Sequence, residues 1–148
     1  MSFRFKEAYL EFSILMNHFQ SLALLSARVL LAYGFYEPAL TKWANFETTV
    51  IWFTELGVPF ASFFTFLTAS FEIVGVVLLV LGLFIRYISI PLIVILIVAI
   101  FTVHIEHGFS VANNGFEIPL YYLIFIGFLV SRGAGKFSLD FLFQKKDK

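Results

Sequence analysis

The sequence predicts an all-α membrane protein, an antiparallel bundle of four transmembrane helices in a single domain, residues 1–148. Hydrophobic residues make up 60% of the chain and charged residues 14%, whereas soluble domains contain about 45–50% and about 25%. The hydrophobic residues also gather in four runs near the length of about 20 residues that a spanning helix needs. Because backbone groups in hydrocarbon must bond within their own segment, these runs should be helices.

The positions of lysine and arginine predict the orientation of the bundle, since both residues concentrate in cytoplasmic segments. Arg4 and Lys6 precede the first span, Arg86 lies in the second connection, and a lysine-rich amphipathic tail, residues 138–148, follows the fourth span. We therefore expect a multi-pass protein surrounded by lipid in a bacterial-type cytoplasmic (inner) membrane, with both termini in the cytoplasm. The predicted spans are residues 19–41, 61–85, 87–107 and 116–133.

The first connection, residues 42–59, mixes Trp43 and Trp52 with Glu47 and Glu55. This mixture predicts a short helix in the outer membrane interface, where tryptophan side chains lie at the level of the lipid headgroups. The helix then covers the outer end of the bundle.

The later connections carry recognisable turn and cap residues. The second connection is so short that the second and third spans form a tight hairpin. The third connection contains Asn113, Asn114 and Gly115, which are typical turn residues. Ser138 is expected to cap a short helix in the C-terminal tail.

Four ionisable residues lie within the hydrophobic runs, one on each predicted span: Arg28, Glu72, His104 and Glu117. Charges in hydrocarbon are costly and therefore rare unless they pair or serve a function. Their distribution over four spans predicts one shared polar site inside the bundle.

Helical spacing predicts where these side chains point. Glu72 shares a stripe of small and polar residues with Thr65, Thr68 and Gly75, so it should face the bundle and not the lipid. At a rise of about 1.5 Å per residue, both Arg28 and Glu72 fall near the middle of their spans. We therefore expect these two residues to form a buried ion pair.

A second group of polar residues falls in the outer half of the bundle: Lys42, His104, Glu117 and Tyr121. Glu117 and Tyr121 are one helical turn apart and should point the same way. The predicted site is thus a funnel, with the Arg28–Glu72 pair at its base and this ring above it. A purely structural network of charges that holds the helices together is the alternative.

Four stretches of the chain, in this order and spacing, also carry a family resemblance. They are Arg28-Val-Leu-Leu-Ala-Tyr-Gly-Phe running to Lys42-Trp43, Ala69-Ser-Phe-Glu72-Ile-Val-Gly75 running to Arg86, Phe101-Thr-Val-His104, and Asn114-Gly115-Phe-Glu117 followed by Gly133 to Asp140. Together they resemble the DoxX family of small four-helix membrane proteins. The resemblance implies an association with quinone-linked sulfur oxidation or with membrane oxidoreductase complexes that handle oxidative or thiol stress. The polar positions of the family map onto Arg28, Lys42, Glu72, His104 and Glu117.

Composition limits the cofactors and partners. The chain has no cysteine, which excludes disulfides, thiolate metal ligands and cysteine-bound iron–sulfur clusters in this chain. Haem is not expected, because His18 lies at the opposite end of the bundle from His104 and His107. A metal site built on His104 and His107 is an alternative. A formal net charge of zero gives no electrostatic reason to expect nucleic-acid binding.

Three functions remain compatible with the sequence. The first is a membrane subunit of a redox system that binds a quinone, with a redox partner protein. Arg28 and Lys42 would polarise the quinone carbonyls, Glu72 and Tyr121 would complete the binding site, and His104 or Glu117 would transfer protons. The second is a non-catalytic scaffold or assembly factor for a redox partner, and the third is a transporter of a small solute or a metal. Whether the chain itself catalyses a reaction stays open at this point.

Overall fold

The computed structural model describes residues 3–146, and within that range the chain forms helices and no strand. Residues 1–2 and 147–148 lie outside the description, as do the side chains of residues 3–5, His18 and Lys146. The predictions that concern Arg4, His18 and the last lysines therefore fall outside it. The α-helices are α1 (Phe3–Ala44), α2 (Phe46–Glu55), α3 (Ala61–Leu81), α4 (Ile85–Ala99), α5 (Glu117–Arg132) and α6 (Leu139–Lys146).

Three helical segments of the described chain are long and apolar enough to cross a membrane: Lys6–Ala44, Ala61–Leu81 and Ile85–His107. They match the first three predicted spans. The predicted fourth span, residues 116–133, overlaps α5. This helix has only 16 residues, fewer than the roughly 20 that an untilted helix needs.

Helix α1 is much longer than the predicted first span, residues 19–41. It has 42 residues, which corresponds to about 63 Å, or about twice the thickness of the hydrocarbon core. The reason is local, because residues 3–33 contain neither glycine nor proline and nothing in this stretch ends the helix. The predicted span therefore lies in the C-terminal part of α1.

The core lies between α1, α3, α4 and α5. Helix α1 packs mainly on α3, and α4 packs mainly on α5. Gly75 of α3 lies against Leu92 of α4, where an added Cβ would come within 3.1 Å of the leucine methyl groups. The fully buried core side chains include Leu31, Leu79, Leu92, Ile126 and Leu129.

The turn between α3 and α4 comes three residues earlier than predicted, at residues 82–84. Gly82 has a φ of 67° and Phe84 a φ of 50°, both in the left-handed region. Asp140, from the C-terminal segment, accepts hydrogen bonds from the backbone N–H groups of Phe84 (2.8 Å) and Ile85 (3.2 Å). These donors lack partners within their own helix, so Asp140 caps α4.

The first connection, the third connection and the C-terminal tail contain the helix, the turn and the cap that the sequence predicts. Helix α2 forms in the first connection, as predicted. Asn114 has a φ of 61° in the predicted turn of the third connection. Ser138 Oγ accepts a hydrogen bond from the Phe141 N–H at 3.2 Å, which confirms the predicted cap of the tail helix α6.

Between α4 and the third connection the helix changes its winding. Residues Ile100–His104 form a π-helix, and Ile105–His107 continue as a 3-10 turn. A π-helical turn contains an additional residue per turn and rotates the side chains that follow it. The direction of the His104 side chain is therefore set by this irregular turn.

Candidate functional site

A cavity of about 930 Å³ lies among the helices and is bordered by α1, α2, α3, the C-terminal half of α4, the third connection and α5. Its walls are mainly apolar, and polar groups contribute only a small part of its lining. Aromatic residues from four of the helices surround it: Phe35, Trp52, Phe53, Phe64, Phe71 and Tyr122.

An ion pair between Lys42 and Glu72 forms part of this wall. The Lys42 Nζ donates hydrogen bonds to Glu72 Oε1 at 3.0 Å and to Oε2 at 2.8 Å. Glu72 is 3% exposed, and the Lys42 side chain is 16% exposed. An ammonium group has three N–H donors, and Glu72 accepts from two of those of Lys42.

The position of Glu72 confirms the face predicted for α3. The buried residues of this helix include Thr65, Glu72 and Gly75, which belong to the predicted stripe, and Thr68 of the same stripe lines the cavity. Helix α1 packs mainly on α3. The Lys42 side chain therefore reaches the carboxylate from the last turn of α1.

The predicted ion pair between Arg28 and Glu72 is wrong. Arg28 is fully buried, but its Nη1 donates to the carbonyl oxygens of Leu79 at 3.2 Å and Val80 at 3.4 Å. Its Nη2 donates to the carbonyl oxygen of Phe137. The guanidinium thus binds backbone carbonyls at the C-terminal end of α3, where a helix leaves its carbonyls without partners and favours a cation.

The predicted Arg28–Glu72 pair is wrong because the prediction placed both residues at the same depth, near the middle of their spans. Helices α1 and α3 run antiparallel, and Arg28 lies fourteen residues before Lys42, which is about 21 Å along the helix axis. Because Lys42 lies beside Glu72 in the middle of α3, Arg28 lies beside the end of α3 near Gly82. Arg28 does not line the cavity and does not form its base.

The sequence predicts His104 in the outer ring of polar residues, and this residue lines the cavity. It is the last residue of the π-helix and is half-buried. Its Nδ1 lies 2.8 Å from the carbonyl oxygen of Asn114. The third connection therefore holds the imidazole in place.

Glu117 and Tyr121 do not reach the cavity. The Tyr121 hydroxyl donates to Glu117 Oε1 at 3.0 Å, so the predicted contact between them is present. Glu117 Oε2 accepts a hydrogen bond from the Val111 N–H at 2.9 Å. These bonds brace the third connection against α5. The predicted ring is therefore split, with Lys42 and His104 at the cavity and the other pair outside it.

Tyr122 is a cavity residue that the sequence analysis missed. Its hydroxyl lies against Gly34 of α1, where an added Cβ would overlap the phenol ring. The ring also packs against Phe35, with centroids 5.9 Å apart. A glycine inside a helix of large side chains could have indicated this close approach, but the partner helix could not be identified from the sequence.

The structure gives no support to the metal alternative. His107 is exposed, and its Nδ1 lies 2.9 Å from the carbonyl oxygen of Val103 on its own helix. Among the side chains that the structure describes, no group of three or more His, Asp or Glu is placed to hold a metal ion.

Comparison with known proteins identifies the family. The model of the DoxX family matches residues 23–105, a range that contains Arg28, Lys42, Glu72 and His104. An uncharacterized protein of Haemophilus influenzae is 32% identical over 131 residues, which cover 83% of this chain and 84% of the relative.

A Bacillus subtilis protein that carries the name "Putative oxidoreductase CatD" is 31% identical over 132 residues, 88% of this chain and 95% of that protein. No solved structure gives a significant match. The family match and the three span-length helices indicate a multi-pass membrane protein in contact with lipid. The chain belongs to the DoxX family.

Proposed function

We propose that this protein is a membrane subunit of a redox system and that its cavity binds a quinone or a chemically similar electron carrier. The observation that carries the proposal is the Lys42–Glu72 ion pair in the wall of an otherwise apolar cavity of about 930 Å³. Small-molecule sites are typically apolar cavities of about 300–1,000 Å³ with a few polar groups that orient the ligand. A quinone presents an apolar ring and two carbonyl acceptors, which suit such walls and a lysine donor.

In this proposal the ion pair holds Lys42 in position to bind the ligand. Glu72 holds the ammonium group through two of its N–H donors, and the third donor is available for a carbonyl oxygen of the ligand. Negative charge develops on that oxygen when the ring is reduced. A fixed donor in a water-poor cavity stabilises such charge more strongly than water does.

His104 is the second polar group with a task in this proposal. Reduction of a quinone to a quinol requires two electrons and two protons. Because the chain has no cysteine, we assign the electrons to a redox partner protein. An imidazole can accept and donate protons, and His104 would exchange them with the ring oxygen. Arg28, Glu117 and Tyr121 lie outside the cavity lining, so they have no direct part.

The relatives add weak support for this chemistry. One of them is named as an oxidoreductase, but a name or a family does not transfer a reaction by itself. The proposal therefore depends on the cavity and on the side chains of Lys42, Glu72 and His104.

The first test is native mass spectrometry of the protein extracted in mild detergent. The variant is Lys42→Gln/Glu72→Gln, which removes both charges and leaves no unpaired ion in the bundle. The matched control is Lys136→Gln, which removes an exposed charge outside the cavity. We expect a small electron carrier to remain on the wild type and the control and to be lost from the double variant.

The other outcomes separate the alternatives. A co-purifying protein without any small ligand would favour the scaffold function. Solute or metal flux into sealed vesicles, lost in the double variant, would favour a transporter.

We also propose that α5 is the fourth span, that α2 lies in the outer interface, and that both termini and the turn between α3 and α4 are cytoplasmic. Arg86 lies near Gly133, which follows Arg132, and Asp140 binds the start of α4, so both arginines lie at the end of the bundle where α6 begins. This placement supports the proposed orientation. The absence of native cysteine permits a clean test with single cysteines at two exposed positions, Tyr87 and Val111. In intact cells, an impermeant maleimide should label Val111→Cys and should not label Tyr87→Cys. The reverse pattern would invert the topology.

A further inference from the structure

The hydrogen bond of His104 determines which of its ring nitrogens can serve a ligand. Nδ1 lies 2.8 Å from the carbonyl oxygen of Asn114. A carbonyl oxygen can only accept a hydrogen bond, so in the neutral imidazole Nδ1 carries the proton and Nε2 carries a lone pair. Within the described chain, Nε2 has no hydrogen-bond partner of its own. His104, which lines the cavity, therefore has a free acceptor nitrogen in its neutral form.

Hydrogen bonds within the third connection hold the Asn114 carbonyl group in position beside His104. The N–H of Asn114 donates to the Val111 carbonyl at 3.0 Å, and the N–H of Gly115 donates to the Ser110 carbonyl at 2.9 Å. Glu117 in turn accepts from the Val111 N–H. The carbonyl group that orients His104 thus belongs to a hydrogen-bonded turn, and the ring cannot exchange its two nitrogens without breaking that bond.

Four other polar side chains of the cavity, those of Lys42, Glu72, Thr68 and Tyr122, form hydrogen bonds of a different kind. Lys42 is a donor only, and both Glu72 oxygens already accept from it. The hydroxyl groups of Thr68 and Tyr122 can donate as well as accept, so they can pair with either a carbonyl or a hydroxyl group. Among these groups, only His104 in its neutral form requires a donor from the ligand.

We propose that His104 makes the cavity selective for the hydroxyl-bearing, reduced form of its ring ligand over the carbonyl form. This inference depends on the proposed function, because it concerns the same cavity and ligand class. A quinol hydroxyl pairs with Nε2, whereas a quinone carbonyl leaves this acceptor without a partner. A site built to bind a hydroxyl group discriminates against the analogue that lacks it, because its own polar group is then left unpaired.

Two substitutions of His104 distinguish the role of Nδ1 from that of Nε2. His104→Asn retains a donor near the position of Nδ1 and removes the acceptor at Nε2, whereas His104→Gln places an amide oxygen near Nε2. The matched control is His107→Asn. His107 bonds a backbone carbonyl through Nδ1 in the same way, at 2.9 Å, but it does not line the cavity.

The experiment measures binding of decylubiquinol and decylubiquinone to the full-length protein in lipid nanodiscs, by calorimetry without oxygen. The wild type should bind the quinol about tenfold more tightly, since one hydrogen bond contributes about that factor. His104→Asn should lose this preference and keep its affinity for the quinone. His104→Gln and His107→Asn should retain the preference.

Four results would overturn the inference. Equal binding of both forms to the wild type, or an unchanged preference in His104→Asn, would remove the role of His104 and leave the proposed function standing. Failure of the wild type to bind either form would refute the quinone site and this inference together. The nitrogen-15 chemical shift of His104 gives a readout independent of ligand binding, and a protonated Nε2 in the neutral ring would overturn the inference alone.

Discussion

The guanidinium group of Arg28 donates a hydrogen bond to the carbonyl oxygen of Phe137 and so joins α1 to the segment that follows α5. The same side chain binds two carbonyls at the end of α3. Arg28 and the Lys42–Glu72 pair therefore lie in two separate places in the bundle. Arg28 binds backbone carbonyls at one end of the bundle, whereas Lys42 and Glu72 line the cavity.

The role of Arg28 predicts a loss of stability without a change in the cavity. Arg28→Gln should lower the free energy of unfolding by about 3 kcal/mol, because backbone carbonyls lose a charged donor. The measurement is thermal unfolding in detergent. Arg86→Gln, which removes an exposed charge, is the control and should have little effect. Loss of ligand from an Arg28→Gln protein that is still folded would contradict the separation of the two places.

The Lys42–Glu72 pair predicts non-additive energetics. Lys42→Gln and Glu72→Gln should each destabilise the protein by about 3–5 kcal/mol, the range for one-sided loss of a buried pair in soluble proteins. The double variant should cost less than the sum, since it leaves no unpaired charge. A double-mutant cycle from denaturant unfolding measures the coupling, and strict additivity would show that the pair is not formed.

The contact between Gly34 and Tyr122 predicts a steric effect. Gly34→Ala should destabilise the protein by about 1–3 kcal/mol, because a Cβ at this position overlaps the phenol ring. Tyr122→Leu in the same chain should recover part of the loss. Gly127→Ala is the matched control, since nothing lies within 4 Å of its added Cβ, and it should stabilise α5 by about 0.5–1 kcal/mol. Equal effects at the two glycines in thermal unfolding would refute the packing argument.

The Asp140 cap predicts that the C-terminal segment stabilises the α3–α4 turn. Asp140→Ala should cost about 0.5–2 kcal/mol, as expected for loss of a helix cap. Hydrogen exchange should become faster at the amides of Phe84 and Ile85, which donate to this carboxylate. Glu106→Ala, at an exposed position, should leave those amides unchanged. Unaltered exchange in Asp140→Ala would mean that the cap is not formed.

The sequence determined the features that depend on neighbouring residues along one helix. Hydropathy alone predicted helices at the three span-length segments, because apolar runs in a membrane must satisfy their backbone bonds internally. Helical periodicity predicted that Glu72 faces the bundle. Turn chemistry located Asn114, and cap chemistry located Ser138, since both depend on local backbone bonds.

Tertiary structure decided which residues meet across helices. Contact between side chains on two helices depends on the axial offset of the helices, and one hydrophobic run does not reveal that offset. The uninterrupted extension of α1 to Phe3 concealed the depth of Arg28, and the antiparallel packing of α1 on α3 then paired Glu72 with Lys42. The π-helix and the third connection likewise determined that His104 lines the cavity while Glu117 does not. The sequence by itself thus determined the helices and their inward faces. Only the packed structure determined which side chains pair, because the distances between side chains on different helices depend on the packing of the whole bundle.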